Sequence, residues 1–193
     1  MIKKLFITLT CILTCILTCI LTCTLTVQAA SIDEFYQIAK EGTIVCKVYS
    51  NPCVIARIEH NQMWANTRSG GDIRVSSKLI DTLNIAELRG VIYHEVGHHV
   101  LRHIEKLADY IVLIPPSKER DISVSEFRKQ HELEADRFAI YLGIFINKPT
   151  DLIGALITLT PPEEFYKTQP THPSTAIRMK QLETISRGRD EHR

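Results

Sequence analysis

The stretch NIAELRGVIYHEVGHHVLRH, residues 84–103, decides how the chain is organised. Upstream, over residues 43–75, apolar residues alternate in short β-branched runs. From Ser76 onward the period moves towards 3.6, which marks helix. Asn84 and Glu87 form a capping box, so a helix should run from about Ile85 to past His103. Inside it lies His94-Glu95-Val96-Gly97-His98. Four residues advance a helix by about 400°, so His94 and His98 sit about 40° apart on one face. Glu95 stands beside them.

Two imidazoles one turn apart can hold one Zn²⁺, and an adjacent carboxylate can take a proton from water. A catalytic zinc needs a third protein ligand, and Glu132-Leu133-Glu134-Ala135-Asp136 offers one. Glu132 and Asp136 share a face, so Glu132 can ligate while Asp136 accepts a hydrogen bond from a ligand imidazole. Glu134 is the rival ligand, but it points about 200° away from Glu132. The longer metzincin motif fails, because Leu101 and Ile104 stand where it needs Gly and His. His99 reads as a rim or surface residue and His103 as a hydrogen-bonded packing residue. Thr171-His172-Pro173-Ser174, with Arg178 beyond it, brings a His and an Arg to the start of the last helix.

These patterns resemble the HtpX-like, BepA-like and Oma-type gluzincin zinc metallopeptidases, over about residues 60–185. The resemblance implies an α+β, zincin-like peptidase domain hydrolysing protein or peptide substrates. His94, His98 and Glu132 would bind one Zn²⁺, and Glu95 would be the general base. His172 and Arg178 would lie over the site, stabilising the tetrahedral intermediate or gating access. Multi-span membrane and repeat segments, which select substrates in that family, are not seen in these 193 residues. The substrates it suggests are misfolded or misassembled envelope proteins. The competing reading is a zinc-stabilised chaperone or adaptor without proteolysis, which leaves Glu95 unexplained; a latent protease shares every residue with the active one.

The N-terminus carries its own signal. Lys3 and Lys4 precede a Thr-Cys-Ile-Leu repeat, and Val27-Gln28-Ala29 offers small residues for cleavage. This reads as a signal peptide over residues 1–29, leaving a metallopeptidase domain over 30–193 for export to the periplasm. Leu5–Val27 is also long enough to cross a bilayer, so an uncleaved inner-membrane anchor is the alternative. Thr before each repeat cysteine argues against a lipoprotein.

Beyond that segment only Cys46 and Cys53 remain, around an Asn51-Pro52 turn. In an exported chain they suit a disulfide pinning a hairpin, with two free thiols as the alternative. A net charge of +1 gives no reason to expect nucleic acid. With 45% apolar and 23% charged residues the chain is not a disordered one.

The remaining elements follow from breakers and caps. A short helix is expected over 32–40. Strands are expected at Thr43–Val48, Val54–Glu59, Gln62–Asn66 and Asp72–Val75, forming a small antiparallel sheet. Asp72–Val75 is the candidate edge for an extended peptide. Ile111–Ile114 reads as core or as a lid, ended by Pro115-Pro116. Ser123 and Glu126 form a second capping box, opening a helix that lasts to Asn147-Lys148-Pro149. Asp151 caps a third helix ended by Pro161-Pro162, and a last one runs from Pro173 to about Arg187.

Overall fold

The computed structural model describes residues 28–190, with side chains to 185; the signal-peptide reading of residues 1–29 falls almost entirely outside them. Helix α1 spans Ile32–Val48, opened by a capping box between Ser31 and Glu34. It corrects two expectations, since Thr43–Val48 continues the helix instead of forming a strand. Phe35, Ile38, Ala39, Gly42, Val45 and Cys46 line its buried face at helical spacing. Burying the larger apolar side chains at about 1.5–3 kcal/mol each outweighs the strand preference of Thr43, Ile44 and Val45.

Strands β1 (Val54–Ile58), β2 (Ala65–Thr67) and β3 (Asp72–Ser76) form one sheet in the order β1-β3-β2. β3 runs parallel to β1, with Ile55 opposite Ile73, and antiparallel to β2, with Asn66 opposite Arg74. The sheet is therefore mixed, not antiparallel. The six residues 59–64 between β1 and β2 leave room for β3 to slip between them. β3 is the strand with the most to bury, and Ile73 and Val75 are fully buried. Asp72–Val75 is thus central and cannot be the edge that accepts a peptide. The edges are β1 and β2. The turn from β2 into β3 uses Gly70 and Gly71 at φ +80° and +82°, where other residues are strained. A Cβ on Gly71 would also lie 2.6 Å from the Pro52 carbonyl.

The short helix α2 (Ser77–Ile80) leads into α3 (Ile85–Val100), with the expected Asn84–Glu87 capping box. α3 is buried on nearly every side and packs most extensively on α5. Its buried polar groups are paired: Tyr93 donates to Glu41 at 2.7 Å, and Arg89 donates to the Pro149 carbonyl at 2.8 Å. α3 ends before His103, because Arg102 adopts left-handed backbone angles (φ 58°, ψ 41°). The chain re-aims there into α4 (His103–Leu113).

Helix α5 (Lys118–Phe145) starts at Ser117, whose hydroxyl accepts from the Arg120 amide. The Ser123–Glu126 pair lies inside α5 and opens nothing. Val112 and Leu113, at 84% and 79% exposed, are not core. Asp151 caps α6 (Leu152–Leu159) as expected, a 3₁₀ turn follows at Pro162–Glu164, and α7 spans Thr175–Asp190. Cys46 and Cys53 are joined, with Cα atoms 5.8 Å apart, but the bond ties the end of α1 to the approach to β1, so no hairpin is pinned. Among the described residues no helix is long and apolar enough to cross a membrane.

Candidate metal centre

Helix α3 brings His94 and His98 onto the side that meets α5. Gly97 makes the close approach possible, since a Cβ there would lie 3.1 Å from the Phe138 ring and 3.3 Å from the Ala135 Cα. Across this contact, Glu132 and Asp136 of α5 face the two histidines. His94 Nε2 and His98 Nε2 are 3.1 Å apart. Glu132 Oε2 is 3.4 Å from the first and Oε1 is 3.3 Å from the second. Among the described residues, His94, His98 and Glu132 form the one cluster of three or more such groups whose ligand atoms converge within 4.8 Å.

The outer sides of both rings are occupied. His94 Nδ1 lies 2.8 Å from Asp136 Oδ1, and His98 Nδ1 lies 3.0 Å from His103 Nδ1. Only the Nε2 atoms face inward. Glu132 Oε2 is buried without a hydrogen-bond partner. Two imidazole nitrogens and a carboxylate thus converge on one point, and a donor set of this kind suits Zn²⁺.

The electrostatics of the metal-free protein reflect that convergence. Burial disfavours charge on His94, but the hydrogen bond to Asp136 and the nearby Glu132 carboxylate prevail and raise its pKa to about 10. Burial pushes the Glu132 carboxyl up, yet His94 and His98 hold it well below the usual carboxylate range. Asp136 is fully buried and is held down to about 2, burial being overcome chiefly by Arg178. Burial, reinforced by His98 and His131, lowers His103 to about 2, leaving its ring neutral.

Arg178, from α7, grips Asp136 with two hydrogen bonds, Nε to Oδ2 at 2.8 Å and Nη2 to Oδ1 at 2.5 Å. Its nearest approach to Glu132 is 3.9 Å. The guanidinium is therefore committed to Asp136 more than to the open side of the site. His172 is half-exposed at the rim, with Nε2 3.6 Å from Glu132 Oε1. Its Nδ1 is 2.7 Å from the Thr171 hydroxyl. Glu95 lines the same cleft as both histidines, Glu132, His172 and the β2 residues Ala65–Thr67.

One expectation about the neighbouring histidines changes, that for His99, while His103 is the hydrogen-bonded packing residue expected. His99 is buried, with Nε2 2.9 Å from the Asn51 carbonyl and 3.1 Å from that of Pro52, while Asn51 donates to the His99 carbonyl. It anchors the disulfide loop to α3 and is not a rim residue. His103 touches a candidate ligand directly. Thr67 was not anticipated: its hydroxyl lies 2.8 Å from Glu95 Oε2 and 2.7 Å from the Glu95 carbonyl. No sequence signal marks it, because the contact forms only when β2 closes on α3.

A helix-borne histidine pair with a carboxylate from a second helix is a donor set that suits a zinc peptidase. Residues 35–115 match the model of peptidase family M48. The matched stretch holds His94, Glu95 and His98 and ends before Glu132, Asp136, His172 and Arg178. No curated protein and no solved structure matches the chain.

Proposed function

We propose that the protein is an exported zinc metalloendopeptidase of gluzincin type, acting on misfolded or misassembled envelope proteins. The observation that carries the enzymatic part is the convergence of His94 Nε2, His98 Nε2 and the unpartnered Glu132 oxygen beside Glu95. When bound, zinc supplies a Lewis acid that polarises the scissile carbonyl and acidifies water. Glu95 takes the proton from the attacking water and passes it to the leaving amine as the C–N bond breaks. Thr67 holds the carboxylate, and Asp136 fixes the His94 ring so that Nε2 faces the site. Arg178 acts through Asp136.

An extended peptide fits along β2, the sheet edge that lines the cleft, by backbone pairing. Export rests on the N-terminal segment and suits a bonded Cys46–Cys53 pair. One observation favours a latent form of the same enzyme: His172 Nε2 stands 3.6 Å from Glu132, where it can fill the open position.

The test is metal analysis together with casein cleavage, comparing the wild type with Glu95→Gln. The variant should retain zinc and lose turnover by about 10²–10⁴, as expected for a general base. Undiminished cleavage removes Glu95 from the mechanism, and a wild type that binds zinc but never cleaves favours the adaptor.

A further inference from the structure

The break between α3 and α4 places a third histidine against the candidate centre. In an uninterrupted helix His103 would lie about 140° around the axis from His98, too far for their rings to meet. The left-handed turn at Arg102 brings His103 back, and the two Nδ1 atoms come within 3.0 Å. On its other side, His103 Nε2 is 3.2 Å from Glu134 Oε2. His131 stacks on its ring at 4.1 Å with planes 4° apart, and Phe127 tilts against His131 at 4.3 Å. The ring is buried and fixed in plane, with both nitrogens engaged.

These contacts can be satisfied in one direction only. If His98 offers its Nε2 lone pair to a cation, its proton sits on Nδ1 and must be donated. His103 Nδ1 is then the acceptor, so the His103 proton sits on Nε2 and is donated to Glu134. We propose that His103, held by Glu134, is the positioning residue for His98: it selects the tautomer and ring orientation that present His98 Nε2 to the metal. The two ligand histidines are thus supported differently, His94 by a carboxylate and His98 by a neutral imidazole. A ligand's outer hydrogen-bond partner typically accounts for 10–100-fold in metal affinity.

The inference rests on the zinc reading, and the experiment separates the two. Zinc affinity of the full chain is measured by competition with a chromophoric chelator for wild type, His103→Phe, His103→Gln and Glu134→Ala. His103→Phe keeps a flat ring against His131 but cannot accept a hydrogen bond, and should weaken zinc by about 10–100-fold. His103→Gln carries a carbonyl acceptor and should recover most of that loss. Glu134→Ala changes a surface side chain and should weaken zinc by about tenfold, the low end of the same range. It keeps the test open should the buried substitution not fold. A purely structural role lowers the melting temperature of the chelated protein without this order of affinities. Wild-type zinc affinity in His103→Phe or Glu134→Ala, or a Gln variant no better than Phe, overturns the positioning role alone. A wild type that binds no zinc overturns the zinc reading and this inference together.

Discussion

Thr67, on the edge strand, and Glu95, on the central helix, are joined by a contact at 2.8 Å between hydroxyl and carboxylate. The same hydroxyl is 2.7 Å from the Glu95 backbone carbonyl and has one proton to give. Donated to Oε2, it leaves Oε1 as the oxygen available to water. The strand offered to substrate and the base offered to water are therefore set in register with each other.

Thr67→Val keeps the shape of the side chain and removes this donor. A hydrogen bond to a charged group contributes roughly 1.5–3 kcal/mol, so kcat should fall about 10–100-fold with zinc content unchanged. Peptidase assay with metal analysis checks it. Unchanged kcat removes Thr67 from the site.

The ligand assignment makes unequal predictions for two glutamates on one helix. His94→Ala, His98→Ala and Glu132→Ala should each abolish stoichiometric zinc, whereas Glu134→Ala should keep the site, with affinity reduced only through His103. Zinc retained by Glu132→Ala and lost outright by Glu134→Ala would reverse the assignment.

His94 makes zinc binding and metal-free stability respond to pH in opposite senses. Its pKa is raised to about 10 in the metal-free protein, so binding below that pH must release its proton. Apparent zinc affinity should then fall by up to about tenfold for each unit of acidification, through this single proton. For the metal-free protein, the stabilising interaction of charged His94 is complete below its unfolded pKa of about 6.5. It is lost as the pH rises through about 10. Chelator competition and thermal unfolding between pH 6 and 10 read the two trends; a zinc affinity that ignores pH contradicts the first.

The Thr171 contact turns the role of His172 into a question of which atom holds a proton. If the Thr171 hydroxyl accepts from Nδ1–H, the Nε2 lone pair is free to occupy the metal's open position, and His172→Ala should cleave faster. If the hydroxyl donates to Nδ1, Nε2–H can stabilise an oxyanion, and the same variant should be slower. We expect the faster enzyme, since His172 Nε2 already stands near Glu132. An unchanged rate refutes both roles.

Much of the site was legible because its parts are local. Spacing alone put His94 and His98 on one face and Glu132 with Asp136 on another, and the Asn84–Glu87 and Asp151 caps marked true helix starts. The misreadings arose where a local signal competed with tertiary burial. The β-branched run at Thr43–Val48 looks like strand, yet Ser31 and Glu34 had already committed the chain to helix. Ser123 and Glu126 have capping spacing, but Ser117 captures the helix start upstream and leaves both inside the helix. Strand order was beyond reach, because the intercalation of β3 depends on a loop path that hydrophobic periodicity does not encode. Thr67 and the contact of His103 with His98 stayed hidden for a related reason: one needs the sheet to close, the other needs a helix to break.

Gly97 shows that the two intervening positions of H-E-x-x-H are not equally free. Adding even a methyl group there would press on Phe138 and Ala135, and overpacking of this kind typically costs about 1–3 kcal/mol. The neighbours must then give by a few tenths of an ångström, and whatever the α5 backbone takes up lengthens the span between Glu132 and the two rings, with no donor atom removed. The transplantable unit is consequently not a five-residue motif but a motif together with the flat shoulder it rests on. Grafted into a scaffold whose neighbouring helix carries a bulkier contour opposite residue 97, the same five residues would keep their chemistry and lose their reach.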